Sequence, residues 1–321
     1  MAQSTDILDT PAVRSEDLER YRRELTGYCY RMLGSVFEAE DAVQETMVRA
    51  WRNLERFEGR SSVRSWVYRI ATNVCLDMVR GRQRRARPMD LGPSSAADAD
   101  LGPAHPENVW VTPIPDGRVL PTEADPAELA VAKETIRLAF VTALQHLPAR
   151  QRAVLILREV LNWHATEVAE LLDTTVASVN SALQRARTTL AARDAAAAPA
   201  VGEDQRELLA RYVDAFERYD IAALVSLLHE DAIMSMPPYA LWLRGPEEIG
   251  RFFLGTGSGC RGSRLVAVTV NGCAAFGSYK ADGSPWSIQV IETDGERIVG
   301  HHNFLDTSLF AAFGLPARLD G

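Results

Sequence analysis

The stretch DAVQETMVRAW, Asp41 to Trp51, followed by RSWVYRIATNVCLDMVRGRQRR, Arg64 to Arg85, decides how this 321-residue chain is read. On a helix the first stretch places Val43, Met47, Trp51 and Leu54 on one apolar stripe, which predicts its buried face. Asp41, Gln44, Glu45, Val48 and Arg52 form a second stripe, more polar than packing requires. In the second stretch Val67, Ile70, Ala71, Val74 and Met78 are expected to face inward, with Trp66, Arg69, Asn73, Asp77 and Arg80 on the outer face. Arg80, Arg82, Arg84, Arg85 and Arg87 then fall within eight residues. Ser35 and Glu38 offer a capping box for the Asp41 helix. Gly59, Ser61, Ser62 and Ser65 mark a loop before the Trp66 helix.

Working outward, the charge changes sign by segment. The whole chain carries a net charge of −8, yet residues 14–87 hold sixteen basic and eleven acidic side chains. Residues 88–128 hold one basic and eight acidic residues, together with eight of the sixteen prolines. That composition predicts a linker, extended for much of its length, although VWVTPIPDGRVLP, Val109 to Pro121, is too apolar for a spacer and should dock. Residues 129–202 return to eight basic against six acidic, and the remainder to ten against sixteen. Basic segments separated by acidic ones fit a nucleic-acid binder whose average charge hides its footprint.

HATEVAELLDTTVASVNSALQRAR, His164 to Arg187, reads as a helix-turn-helix. Val168, Ala169 and Leu172 pack its first helix, Asp173 and Thr174 make the turn, and Val176, Val179, Leu183, Ala186 and Leu190 core the second. Residues 193–204 are a second linker. Beyond it a helix carries Leu208, Leu209, Tyr212, Phe216 and Tyr219, a short helix follows, and a third contains Ile249 and Phe253. After Gly262 the period becomes that of strands, SRLVAVTVNGCAAFGSYK, WSIQVIET and ERIVGHHNFLD, the last two joined at Asp294-Gly295. Cys29, Cys75, Cys260 and Cys273 form no CxxC pair and no His spacing suggests zinc, so they read as small buried residues and no metal or cofactor is expected. No apolar run is long enough to span a bilayer and the N-terminus MAQSTDILDT is no signal peptide, which predicts a cytoplasmic protein without a membrane partner.

These motifs, in this order, resemble the extracytoplasmic-function (ECF) sigma factors over about Arg14 to Ala192, and the rest resembles the subgroup with a fused SnoaL-like domain. The implied fold is multidomain. Residues 14–87 would be the all-α region 2 bundle and 129–192 the all-α region 4 helix-turn-helix, with linkers at 88–128 and 193–204. Residues 205–321 would be an α+β SnoaL-like cone, helices first and a curved antiparallel sheet after. The resemblance implies promoter recognition and opening as a dissociable subunit of core RNA polymerase, with regulation in cis by the cone.

Asp41, Gln44, Glu45, Val48 and Arg52 match the polymerase-gripping helix. Arg60, Ser61, Ser62, Arg64, Trp66, Arg69 and Asn73, with Arg80, Arg82, Arg84 and Arg85, match the element that captures the melted −10 strand, where flipped bases need polar edges, an aromatic wall and phosphate-binding arginines. Ser178, Asn180, Ser181, Gln184, Arg185 and Arg187 would enter the major groove of the −35 duplex. Asn180 and Ala182 depart from the family, where a basic residue is common, and weaker upstream anchoring is expected.

The cone interior is a candidate pocket for an unidentified small molecule, lined by Met236, Tyr239, Trp242, Phe253, Phe276, Trp286, His302 and Phe304. Asp231 and His302 are its acid/base candidates, and of the adjacent His301 and His302 only one can face inward. No pair suited to isomerase chemistry assembles from spacing, so no catalytic residue is assigned. Two rival readings remain: a helix-turn-helix repressor or activator with a ligand-sensing domain, and a SnoaL-type isomerase or cyclase with a DNA-binding tether. Neither explains Asp41 to Arg87.

Overall fold

A computed structural model describes residues 16–59, 61–191 and 203–320. The first module is four helices, α1 (Glu16–Glu19), α2 (Arg22–Leu33), α3 (Val36–Arg52) and α4 (Val63–Val79). Gly34, at φ 72°, ends α2 in the left-handed cap that glycine adopts without strain. Ser35 and Ser62 start α3 and α4 by accepting the backbone N–H of Glu38 and Ser65, at 3.4 and 3.0 Å. Leu25, Tyr28, Val43, Val67, Ala71 and Cys75 are fully or almost fully buried between them. Trp51 departs from its expected place, being 64% exposed. At ~100° per residue, Ala50 lies ~20° from the direction of Val43 and Trp51 ~80°, so Ala50 takes the inward slot.

The linker carries the short α5 (Asp116–Val119), which packs on α2, and α6 (Pro126–Glu134) leads into the second module of α7 (Leu138–Gln145), α8 (Ala149–Leu155), α9 (Ala165–Leu171) and α10 (Val176–Ala191). Asp125 caps α6 at 2.8 Å from the Glu128 N–H, with Pro126 at the first helical position. Helices α9 and α10 form the expected helix-turn-helix, with Asp173 at φ 50° in its turn. Val168, Val179, Leu183 and Ala186 core it, whereas Val176, at the start of α10, is 38% exposed.

The cone comprises α11 (Glu203–Glu217), α12 (Ile221–Ser226), β1 (Leu228–Ser235), β2 (Trp242–Arg244), α13 (Pro246–Leu254), β3 (Arg264–Val270), β4 (Cys273–Tyr279), β5 (Pro285–Thr293), β6 (Ile298–Phe304) and α14 (Leu309–Ala312). Its sheet runs β2-β1-β6-β5-β4-β3. The sheet is mixed rather than antiparallel, because β1 lies parallel to β6. Strands β1 and β2 precede α13, where the sequence reading placed no strand; the polar run His229 to Asp231 breaks the alternation that would have revealed β1. The run from Ser263 to Lys280 is two strands, turned at Asn271-Gly272 with φ 53° and 72°, the positive values a two-residue hairpin needs.

That hairpin tip is where the modules meet. Asn271 Oδ1 accepts from the Ile114 N–H at 2.9 Å, and its own N–H donates to the Ile114 carbonyl at 3.1 Å. Its Nδ2 donates to Tyr30 Oη of the first module at 2.8 Å and to the Ile136 carbonyl of the second at 2.5 Å. Gly272 N–H donates to Asp116 Oδ1 at 2.8 Å, and a Cβ on Gly272 would stand 2.9 Å from Lys133 Cβ. The apolar linker segment docks as expected, with Trp110, Val111 and Ile114 buried and Pro115 bridging to Val270 on the edge strand β3.

Candidate polymerase and promoter surfaces

On α3, Asp41, Gln44, Glu45 and Arg52 are exposed and Val48 is half-buried, so the polar stripe faces outward. Glu45 pairs with Arg49 at 2.6 Å, both about half exposed. Trp51 stands beside them, four and three residues from Met47 and Val48, and belongs with this surface. An exposed tryptophan next to a polar stripe was the missed signal.

The −10 set is divided. Arg60 lies outside the described residues. Ser61 and Ser62 are exposed, Ser62 being occupied as the cap of α4. Arg64 is held on Glu24 at 2.9 Å, with its guanidinium carbon over the rings of Tyr68 and Trp163 at 5.4 and 5.3 Å. Trp66 is half-buried against Phe57, ring centroids 4.9 Å apart. Asn73, Arg80 and Arg84 are exposed. Arg82 pairs with Glu38. Arg85 does not face outward: it is 5% exposed and donates to the carbonyls of Glu107 and Trp110, at 2.9 and 2.6 Å, and to Glu38 at 2.8 Å. It clamps the linker instead of offering charge to DNA.

Arg69 reaches across to the second module and donates to the Glu170 carbonyl on α9. Tyr68 packs on Trp163 with centroids 5.0 Å apart, so Arg64 and Arg69 of the expected −10 set lie against the second module, while Asn73, Arg80 and Arg84 stay open. Two desolvated arginines sit in the same interface. Arg31 donates to Thr135 O and Oγ1 at 3.0 and 2.7 Å. Arg152 donates to Gln145 Oε1 at 2.6 Å and to the Gln145 and Leu147 carbonyls, both at 3.2 Å, and to the Met32 carbonyl. Burial pulls each guanidinium down to about 10. Charges held by neutral oxygens, with no carboxylate, recover only part of their desolvation, and Trp163 Nε1 and Arg152 Nε find no partner among the described residues. The interface is one that can part.

On α10, Ser178, Asn180, Ser181, Gln184, Arg185 and Arg187 are all exposed. Arg187 leans on Glu159 at 2.5 Å. Replacing Gln184 or Arg185 by alanine is expected to lower discrimination at one −35 position each by ~1–3 kcal/mol, read by competition binding with point-substituted duplexes. Replacing Arg187 should weaken all sequences alike and lower the salt slope by about one.

In the cone, Met236, Tyr239, Phe253 and Trp286 line a cavity of 370 Å³. Four other expected members do not. Trp242 is turned toward the linker, donating to the Gly92 carbonyl at 2.9 Å. Phe276 packs on Tyr212 in the core beside the cavity, centroids 5.7 Å apart. Phe304 and His302 point to the other face of the sheet, since alternation sends His301 and Asn303 inward. There His302 Nδ1 bonds Ser235 Oγ at 2.8 Å and its Nε2 lies 3.4 Å from Glu292. Burial pushes the Glu292 carboxyl up, but the His302 hydrogen bond and the charges of His302, Arg87 and Arg137 hold it down to about 2. Asp231 is exposed and paired with Arg244 at 2.8 Å, away from the cavity. The inward histidine, His301, bonds Tyr212 Oη at 3.0 Å, and burial followed by the His302 charge lowers it to about 3, so it stays neutral.

A helical module, a helix-turn-helix and an α+β cone in this order on one chain are the architecture of a sigma factor with a fused C-terminal domain. Family profiles match in that order: Sigma-70 region 2 over residues 18–85, Sigma-70 region 4 over 137–190, and a SnoaL-like domain over 209–304. The ECF RNA polymerase sigma factor SigG of Mycobacterium tuberculosis is 44% identical over 319 residues, covering 95% of this chain and 84% of that protein. SigJ of the same organism is 28% identical over 83% of this chain and 80% of its own length. The crystal structure of SigJ superimposes with a TM-score of 0.62 at 22% identity, covering 94% of this chain and all of that one, and shares the fold. The chain belongs to the ECF RNA polymerase sigma factor family. Among the described residues no helix is long and apolar enough to cross a membrane.

Proposed function

We propose that this sigma factor is held closed by its own linker and cone, and that its helical modules must separate before both promoter elements are read. The contact between α4 and α9 carries this reading. The −10 and −35 elements lie about 25 base pairs apart, ~85 Å of duplex at ~3.4 Å per pair, whereas Tyr68 and Trp163 of the two modules touch at 5.0 Å. Modules in mutual contact cannot span that distance.

The division into residues 14–87, 88–128, 129–192, 193–204 and 205–321 follows from the same reading. Asp41, Gln44, Glu45, Val48 and Arg52, joined by Trp51, grip core polymerase. Arg64, Trp66, Arg69 and Asn73, with Arg80, Arg82 and Arg84, take the melted strand once α9 has moved away, and the exposed face of α10 takes the −35 duplex. The protein works in the cytoplasm with polymerase and catalyses nothing itself. Among the described residues no carboxylate lines the cone cavity, which favours binding of a small molecule over proton abstraction.

Run-off transcription with core polymerase on the protein's own upstream region tests this, comparing the full chain with one ending at Ala191. Transcript from both is expected, several-fold more per bound polymerase from the shorter. Equal yields would remove the regulatory role of the cone. No transcript from either, beside polymerase-independent binding to the same duplex, would replace the reading with that of a repressor.

A further inference from the structure

The cone cavity has a wall that the cone does not supply. Residues 92–105 of the linker run across its mouth as a strap. Ser95 N–H donates to the Trp242 carbonyl at 2.8 Å, Ala97 N–H to Glu248 Oε2 at 2.7 Å, and His105 N–H to the Pro238 carbonyl at 2.8 Å. Ala97 is buried in the cone core, and Leu101 closes the cavity beside Met236 and Phe253.

Its 370 Å³ falls in the ~300–1,000 Å³ range of small-molecule sites. Among the described residues no Asp, Glu, Lys, Arg or His side chain lines it, and burial pushes the Cys260 thiol up to about 11, so that group is uncharged too. Two amides stand opposite each other on the lining, Gln289 of β5 and Asn303 of β6. Gln289 Oε1 accepts from Tyr212 Oη at 2.7 Å, leaving its NH₂ as the remaining group. The Asn303 side chain, 7% exposed, has no hydrogen-bond partner among the described residues. Its amide opens onto the cavity, where its NH₂ is free to donate to a ligand oxygen.

We propose that this cavity receives an uncharged, mostly apolar molecule bearing a carbonyl or hydroxyl oxygen, held by Asn303 and Gln289, and that its binding tightens the seat of linker residues 92–105 through Leu101. A molecule that fits the cavity as it stands touches Leu101 only while the strap is seated. It therefore binds the seated state better, and seating strengthens its binding by the same factor. The effect on transcription rests on the closed-state reading above. The cavity does not, so its test is made on the protein alone.

Benzophenone, an uncharged aromatic ketone, serves as the probe on the full chain, photolysed and mapped by peptide mass spectrometry. Saturable labelling of the Leu101 peptide and of the β1 and β6 peptides is expected, with none there from benzophenone-4-carboxylate. Asn303→Leu should raise the half-saturating concentration about tenfold, the loss of one hydrogen bond of ~1.4 kcal/mol. Leu101→Ala should raise it several-fold, while Leu91→Ala, altering an exposed linker residue, leaves it unchanged. Benzophenone should also slow proteolysis within residues 92–105. Diffuse, unsaturable labelling, or equal labelling by the carboxylate, overturns the site. Circular dichroism identifies a variant that fails to fold, and the comparison of the two probes on the natural chain does not depend on any variant. Labelling indifferent to Leu101→Ala, with unaltered proteolysis, overturns the coupling to the linker.

Discussion

Replacing Asn271 with leucine is expected to part the modules and raise the yield of promoter-dependent transcript. Asn271 is fully buried at a point where linker, cone and both helical modules share hydrogen bonds. Leucine leaves the Ile114 N–H and the Ile136 carbonyl buried without these partners, at ~1–3 kcal/mol each. Tyr30 Oη keeps its bond to the Thr112 carbonyl at 2.8 Å, so the first module's own core is spared. The φ of 53° adds strain of ~1 kcal/mol for a residue with a branched side chain. The two lost partners, ~2–6 kcal/mol together, fall on docking between modules, while the strain falls on the hairpin itself, and the interface holding Arg31 and Arg152 has little to set against the loss. The expected result is a larger radius of gyration by small-angle scattering and faster cleavage within residues 88–128, with more run-off transcript. Asn271→Gly keeps the positive φ and removes only the side chain, which separates hydrogen bonding from strain. An unchanged radius and yield in both variants would remove this residue as the joint.

How much of this was legible in the sequence depended on how far apart the deciding residues lie. The recognition face of α10 was readable because a helical period of apolar residues fixes which side chains point out, and all six named residues are exposed. The Asp41 stripe was readable for the same reason. Trp51 was misplaced because four-residue steps accumulate ~40° each and drift off the stripe that Ala50 continues. Arg85 looked like its neighbours, and only the linker carbonyls folded back on it, twenty-two and twenty-five residues later, set it apart. The doublet His301-His302 announced that one would face inward; the choice was made by Tyr212 on α11, far away in the chain. Leu101 carried no signal, a single leucine among alanines and aspartates. Its role exists only because the strap crosses the mouth of the cone.

Trp51→Ala is the second large effect, expected to weaken binding to core RNA polymerase by at least ~2 kcal/mol, about thirtyfold. The side chain is 64% exposed, so its loss should cost the free protein only the ~0.5 kcal/mol typical of surface changes. A large apolar group kept in water beside Gln44, Val48 and Arg52 is the composition of an interface anchor, because tryptophan buries ~150–250 Å² when a partner covers it. Glu45 contributes less in the free protein, since its pair with Arg49 is exposed and such pairs contribute ~0–1 kcal/mol. On the polymerase it has a different value if an arginine meets it, and Asp41→Arg should then reduce binding through repulsion and lose its effect as salt is raised. The two variants therefore separate by ionic strength: the Trp51 loss persists at high salt and the Asp41 loss fades. Fluorescence anisotropy of the labelled sigma factor titrated with core enzyme reads both. If Trp51→Ala binds as tightly as the natural chain while Asp41→Arg does not, the grip is electrostatic and the exposed indole serves no partner on this surface.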